Sequence, residues 1–255
     1  MGKIIAIASQ KGGVGKTTST VNLAASLGVL KKKILLIDID PQGNATSGVG
    51  VNKRELSKSS YHLLTTTIDA NEIIVKTEFK NLDIIPSNIQ LAGAELELVD
   101  APDRVNILKK SIVGLKEKYD YILIDCPPSL GLITLNALTA CDTFLMPIQC
   151  EYYALEGVSQ LVATVRQVKK MYNNTIEIEG VLLTMFDGRL NLTTQVLQEV
   201  KKFFGDKVYK TSIPRNVRLS EAPSFGKPVF YYDKGSTGTK AYLDLANEVI
   251  KHNKK

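Results

Sequence analysis

The chain has 255 residues, of which 44% are hydrophobic and 23% charged, and its 32 basic and 26 acidic side chains leave a net charge of +6. These are the proportions of an ordinary globular protein long enough to bury a substantial core. No apolar run reaches the roughly 18 residues of a membrane span, and the modest basic excess is compatible with a polyanionic partner such as DNA.

Apolar runs predict strands over residues 3–8, 33–38, 82–86, 120–125, 143–148, 178–185 and 207–213. Helical periodicity predicts helices over 16–30, 104–118, 130–140, 153–172, 192–204 and 238–252. The strands are rich in Ile, Val and Leu with little alternation, as expected when helices cover both faces of a sheet. Alternating strand and helix units imply an α/β fold, a doubly wound, mostly parallel sheet flanked by helices in three layers. Ligands in such sheets bind beyond the carboxyl ends of the strands. Residues 49–81 are the least patterned and are expected to form short peripheral helices; we read residues 1–255 as one domain. A strand entered at Lys3 leaves no room for a signal peptide, and the three cysteines, Cys126, Cys141 and Cys150, lack metal-ligand spacing. Reduced thiols and a cytoplasmic protein are expected.

Between the first strand and first helix runs Ser9-Gln10-Lys11-Gly12-Gly13-Val14-Gly15-Lys16-Thr17-Thr18. A glycine-rich turn there gathers backbone N–H groups around one point, and the following helix aims its positive end at the same point. That is phosphate-binding geometry, with Lys16 for the outer phosphates and the Thr17 hydroxyl for Mg²⁺. The loop departs from the usual G-x-x-x-x-G-K-[ST] pattern by having Gln10 at the first glycine and a second lysine, Lys11. Lys16 serves the nucleotide of its own loop. Lys11 is left to reach a second nucleotide across a dimer interface, as an arginine finger does.

The second strand ends Asp38-Ile39-Asp40-Pro41, so both carboxylates point one way if the strand continues. The fourth strand, Tyr121-Ile122-Leu123-Ile124-Asp125, is apolar up to a terminal acid, as in a Walker B strand; Asp125 would hold Mg²⁺ through a water. Cys126-Pro127-Pro128-Ser129-Leu130-Gly131 follows as a proline-stiffened switch loop.

The two-lysine loop resembles the deviant Walker A loop of the ParA/MinD group of ATPases. Asp38-Ile39-Asp40-Pro41-Gln42-Gly43-Asn44 and the segment from Ile213 to Pro223 look more specifically like chromosomal ParA proteins of the Soj type. The resemblance implies ATP and Mg²⁺ as cofactors and an ATP hydrolase. It implies a nucleotide site formed by residues 11–18, with Pro214 and Asn216 at the adenine. It gives Asp40 the attacking water, Lys11 and Lys16 the transferred phosphoryl group, and Asp38 the support of the loop and of the magnesium shell. It implies an ATP-dependent homodimer that binds double-stranded DNA without sequence preference through Arg189 and Arg218, a ParB-type centromere-binding partner that stimulates hydrolysis, and a nucleoid-associated role in segregation. The alternative is a MinD-like ATPase that cycles on a membrane. That class needs an amphipathic C-terminal helix, whereas the stripe of Tyr242, Leu243, Leu245, Ala246, Val249 and Ile250 is expected to dock on the core.

Overall fold

The computed structural model describes residues 1–151 and 154–254. Among them, one sheet contains seven strands: β1 (Lys3–Ile7), β2 (Ile34–Asp38), β3 (Val75–Lys76), β4 (Leu82–Ile85), β5 (Tyr121–Asp125), β6 (Thr143–Gln149) and β7 (Glu177–Thr184). Their order is β3-β4-β2-β5-β1-β6-β7, and every pairing is parallel except the short β3 against β4. The helices are α1 (Lys16–Val29), α2 (Asn44–Gly48), α3 (Ser60–Thr65), α4 (Leu91–Leu98), α5 (Ile107–Ile112), α6 (Leu132–Ala140), α7 (Ala154–Met171), α8 (Asn191–Phe204), α9 (Val217–Glu221), α10 (Val229–Tyr232) and α11 (Thr237–His252).

Successive side chains of a strand leave by opposite faces, and the core divides accordingly. Ile4 and Ala6 of β1 join one apolar cluster with residues of α4 to α8, whereas Ile5 and Ile7 join a second with α1 and α11. Helix α1 is buried between the sheet and α11. Leu23, Ala24 and Leu27 are inaccessible, and Tyr242, Leu245, Ala246 and Val249 of α11 cover its outer side. Each such leucine contributes about 1.5–3 kcal/mol by leaving water. Ile250 packs against the same cluster, so the expected stripe docks on the core except at Leu243, which is half-buried and outside it. Residues 49–81 carry α3 and a turn of 3₁₀ helix over Ala70–Glu72, plus the unforeseen antiparallel β3. No helix among the described residues is long and apolar enough to cross a membrane. Residue 153, the expected first residue of the helix over 153–172, lies outside the described residues.

The expected strand over 207–213 is corrected. The segment meets β7 only at isolated points, a bridge between Val181 and Val208 and a bond from the Ile213 N–H to the Leu183 carbonyl. Between them the N–H groups of Lys210 and Thr211 donate to the Glu248 carboxylate of α11 at 2.8 and 3.1 Å, so the backbone leaves the ladder. The helix expected over 104–118 breaks into α5 and a 3₁₀ stretch, Val113–Glu117. Helix α4 had no counterpart among the expected helices.

At the opposite end of the sheet from the phosphate loop, Glu179 of β7 has a side chain only 2% exposed. It accepts from Lys3 Nζ at 2.6 Å, Thr143 Oγ1 at 2.6 Å and Asn253 Nδ2 at 2.7 Å. A buried carboxylate persists when it is this fully paired. It ties the first strand, β6 and the residues after α11 to one point.

Candidate active site

Register brings the acids together. In the β2–β5 pairing Asp38 stands opposite Asp125, and in the β1–β5 pairing Ile7 stands opposite Asp125, so the loop leaving β1 starts beside both carboxylates. Gly13 and Gly15 take φ of 74° and 84°, a region costly for residues with a Cβ, and Gly15 is the last residue before α1. The backbone is thus turned so that α1 begins under the loop.

Asp125 is fully buried. Its two oxygens accept from Thr17 Oγ1 and Thr20 Oγ1, each at 2.8 Å. Burial, then the nearby Asp38, pushes its carboxyl up to about 8 against the pull of the two hydroxyls. Asp38, also fully buried, is pushed up to about 6 by burial, although Thr46 and the Asp40 N–H hold its charged form. The Lys16 ammonium is held below its usual range by burial, which Asp125 partly offsets. Two buried acids and one buried lysine give a pocket short of positive charge, which suits a divalent cation. Among the described residues, no three His, Cys, Asp or Glu side chains are grouped to hold a metal.

The strand does not continue through Asp40. The strand stops at Asp38, because Pro41 imposes a turn closed by the Gly43 N–H on the Asp40 carbonyl. Asp38 Oδ2 accepts from the Thr46 N–H at 2.8 Å and the Thr46 hydroxyl at 2.7 Å. Thr46 Oγ1 in turn accepts from the Ser87 N–H at 2.8 Å, and Ser87 Oγ donates to the Asp40 carbonyl at 2.8 Å. The loop over 40–48 is thus pinned at Thr46. Asp40 Oδ1 accepts from the neighbouring Gln42 N–H at 2.9 Å, and among the described residues no donor is shown on its other oxygen.

The two loop lysines have separate environments. Lys16 Nζ donates to the Lys11 carbonyl at 3.0 Å. Lys11 Nζ reaches out of the loop to Glu151 Oε2 at 2.8 Å, the two side chains being 39% and 46% exposed. Such an exposed pair is worth at most ~1 kcal/mol, so a polyphosphate easily competes for the lysine.

Beside the loop lies a cleft of about 490 Å³ whose walls include Gly15, Thr18, Met185, Pro214, Asn216 and Tyr242. Met185 holds φ of 50°, unusual for a residue with a side chain, and turns the end of β7 so that the Phe186 N–H meets the Ile213 carbonyl at 2.9 Å. Asn216 caps α9 by accepting from the Leu219 N–H, and its Nδ2 donates to Thr237 Oγ1 at 2.7 Å. The cleft thus adjoins the glycine loop at Gly15 and Thr18, and Pro214 and Asn216 line it.

A bridge between Phe186 and Pro214 lays the loop of Arg189 beside that of Arg215 and Arg218. Arg189 is forked onto Asp187 at 2.9 and 2.7 Å with its side chain 89% exposed. Arg218 pairs with Glu221 at 2.8 Å and Asp233 at 3.2 Å. Neither arginine is committed to the core.

Sequence reading missed Thr20, Thr46, Ser87 and Glu151. Thr20 lies one turn after Lys16 on the same helix face, and Glu151 lies just past the carboxyl end of β6, so spacing alone could have raised both. Nothing local marks Thr46 or Ser87.

A family model described as an AAA domain matches residues 2–178. The chain is 61% identical over 249 residues to the sporulation initiation inhibitor protein Soj of Bacillus subtilis, covering 98% of each chain. It is 50% identical over 251 residues to the chromosome partitioning protein ParA of Myxococcus xanthus, covering 98% of this chain and 89% of the relative. Among solved structures, cobyrinic acid a,c-diamide synthase from Mycobacterium smegmatis with bound ADP and magnesium superposes with a TM-score of 0.87 at 33% identity, covering 99% of this chain and 95% of that one.

Proposed function

This chain belongs to the Soj/ParA family of chromosome-partitioning ATPases, and from that premise we propose how its own residues bind ATP and turn hydrolysis into a switch. The protein is a P-loop ATP hydrolase using ATP and Mg²⁺. All 255 residues act as one domain. Residues 11–18 wrap the phosphates with backbone N–H groups, Lys16 neutralises the outer ones, and Pro214 and Asn216 border the adenine. Thr17 and Asp125 would hold the metal, while Asp38 fixes the loop over 40–48 behind them. Bound magnesium neutralises charge on the phosphate oxygens.

Asp40 orients the attacking water with the carboxylate oxygen left free by Gln42. Lys11 leaves Glu151 and reaches the nucleotide of a second subunit, so hydrolysis is complete only in a homodimer. Two subunits join their arginine-bearing loops, and Arg189 and Arg218 exchange carboxylates for DNA phosphates with no base preference. Hydrolysis, stimulated by a ParB-type centromere-binding partner, dissolves the dimer and frees the nucleoid DNA. The observation that carries this reading is the cluster of Thr17, Thr20 and Asp125 at the foot of a two-lysine glycine loop. Its test is Asp40→Ala. The variant is expected to bind ATP, dimerise on gel filtration and stay on DNA while hydrolysis drops by about 10² or more; unchanged turnover removes Asp40 from the reaction.

A further inference from the structure

Helix α4 is apolar on two sides. Leu91, Ala94 and Leu98 face the core and are buried. Ile89, Ala92, Leu96 and Val99 recur at the spacing of the opposite face and are exposed, Ile89 by 68%, Leu96 by 79% and Val99 by 46%. A surface helix with no further partner normally has polar residues there. The stripe has a charge of its own: residues 88–103 include Glu95, Glu97, Asp100 and Asp103 and no lysine or arginine, in a chain of net charge +6. Asp103 is neutralised by Lys110 at 2.6 Å, Glu97 accepts from the Tyr61 hydroxyl at 2.8 Å, and the Arg104 guanidinium donates to the Val99 carbonyl at the end of the helix; among the described residues no ion pair is made by Glu95, Glu97 or Asp100.

Glu95 links this face to the nucleotide end. Its Oε1 is shielded from water and has no hydrogen-bond partner. It lies against Gly131, the last residue of the loop over 126–131 and the one preceding α6; a Cβ placed on Gly131 would come within 2.1 Å of that oxygen. The carboxylate is therefore set at the positive end of α6, in contact with the loop that follows Asp125. Moving α4 or adding a cation at Glu95 changes what holds that loop.

We propose that the outer face of α4 is the docking surface for a basic amphipathic segment of a partner protein, and that docking there acts on the loop over 126–131 through Glu95. The inference rests on the reading above that a partner stimulates hydrolysis, and it locates that partner. The apolar stripe takes the partner's apolar side chains. Glu97 and Asp100 attract its lysines or arginines, and one of these cations supplies the donor that Glu95 Oε1 lacks. Glu95 is thus a positioning residue, acting on hydrolysis through the switch loop.

The test measures ATP hydrolysis with DNA while the purified cognate ParB-type protein is titrated in. Leu96→Asp, on an exposed position, is expected to keep its melting temperature, its basal hydrolysis and its ATP-driven dimerisation, and to raise the half-saturating partner concentration at least tenfold. Paired Glu97→Lys and Asp100→Lys should do the same and flatten the salt dependence of partner binding. Glu95→Gln is expected to leave half-saturation within threefold but to cut the maximal stimulation at least fivefold, a split that simple loss of docking does not produce. Wild-type response in Leu96→Asp, with the wild type stimulated, overturns this inference alone. Loss of ATP-driven dimerisation in Leu96→Asp also overturns it, and makes the stripe a contact between copies of this chain. No stimulation of the wild type overturns the activation reading and this inference with it.

Discussion

Replacing Asp125 with asparagine should stabilise the metal-free protein while removing its use for the metal. The carboxyl is pushed up to about 8 by burial and by Asp38, from an ordinary 3.8. The native state therefore binds this proton more tightly than the unfolded chain does. Its contribution to stability is complete below about pH 4 and is lost as pH rises towards 8. At about 1.4 kcal/mol per pH unit, ionising the site by pH 8 costs the metal-free fold on the order of 5 kcal/mol. Asparagine removes that cost but keeps only one good acceptor for the two threonine hydroxyls, a loss of about 1–2 kcal/mol. The net gain of about 3 kcal/mol, at 2–4 °C per kcal/mol for a chain of this size, raises the melting temperature by roughly 6–12 °C at pH 8. At pH 5, little more than one pH unit above the ordinary 3.8, only about 1.6 kcal/mol of that cost is present, and the hydrogen-bond loss about cancels it, so Asp125→Asn should melt close to the wild type there. Thermal unfolding followed by circular dichroism in EDTA across pH 5–8.5 reads this convergence directly. Adding Mg²⁺ and ATP should then stabilise the wild type far more than the variant. A melting temperature below wild type at pH 8, or a difference that does not change with pH, refutes the account of Asp125 as a buried acid that needs a cation.

Other outcomes follow from the same geometry. Lys16→Ala should lose ATP binding in isothermal titration, since Lys16 is the cation buried beside Asp125. Lys11→Ala should keep ATP affinity within a few-fold, because its ion pair lies outside the loop, yet fail to form the ATP-dependent dimer on gel filtration. Arg189→Glu and Arg218→Glu should each lower DNA affinity at least tenfold in a filter-binding assay at low salt while ATP-driven dimerisation persists; breaking their exposed ion pairs costs at most ~1 kcal/mol of stability each.

Much of this was legible from residue order because the chemistry sits at strand ends. The apolar runs up to Asp38 and Asp125 placed both acids, and the glycine loop between β1 and α1 placed the phosphate site. What was not legible depends on pairing between distant segments. The segment over 207–213 has the apolar pattern of a strand, but Glu248, far along the chain, takes its N–H groups. The Asp40 turn follows from Pro41, which was visible, whereas its clamp through Thr46 and Ser87 needs β2 and β4 side by side. Helix α4 escaped because its apolar residues occupy two faces and so show no clean helical period.

The buried carboxylate of Glu179 has a practical corollary for anyone handling the protein. Lys3 converges on it from β1 and Asn253 from just after α11. A fluorescent fusion or affinity tag joined directly beside Lys3 or Asn253 therefore pulls on the same knot, at the opposite end of the sheet from the glycine loop yet continuous with β1. Tagged versions trimmed through Lys3 or Asn253 should show lower thermal resistance than ones joined by a long spacer that leaves both residues in place.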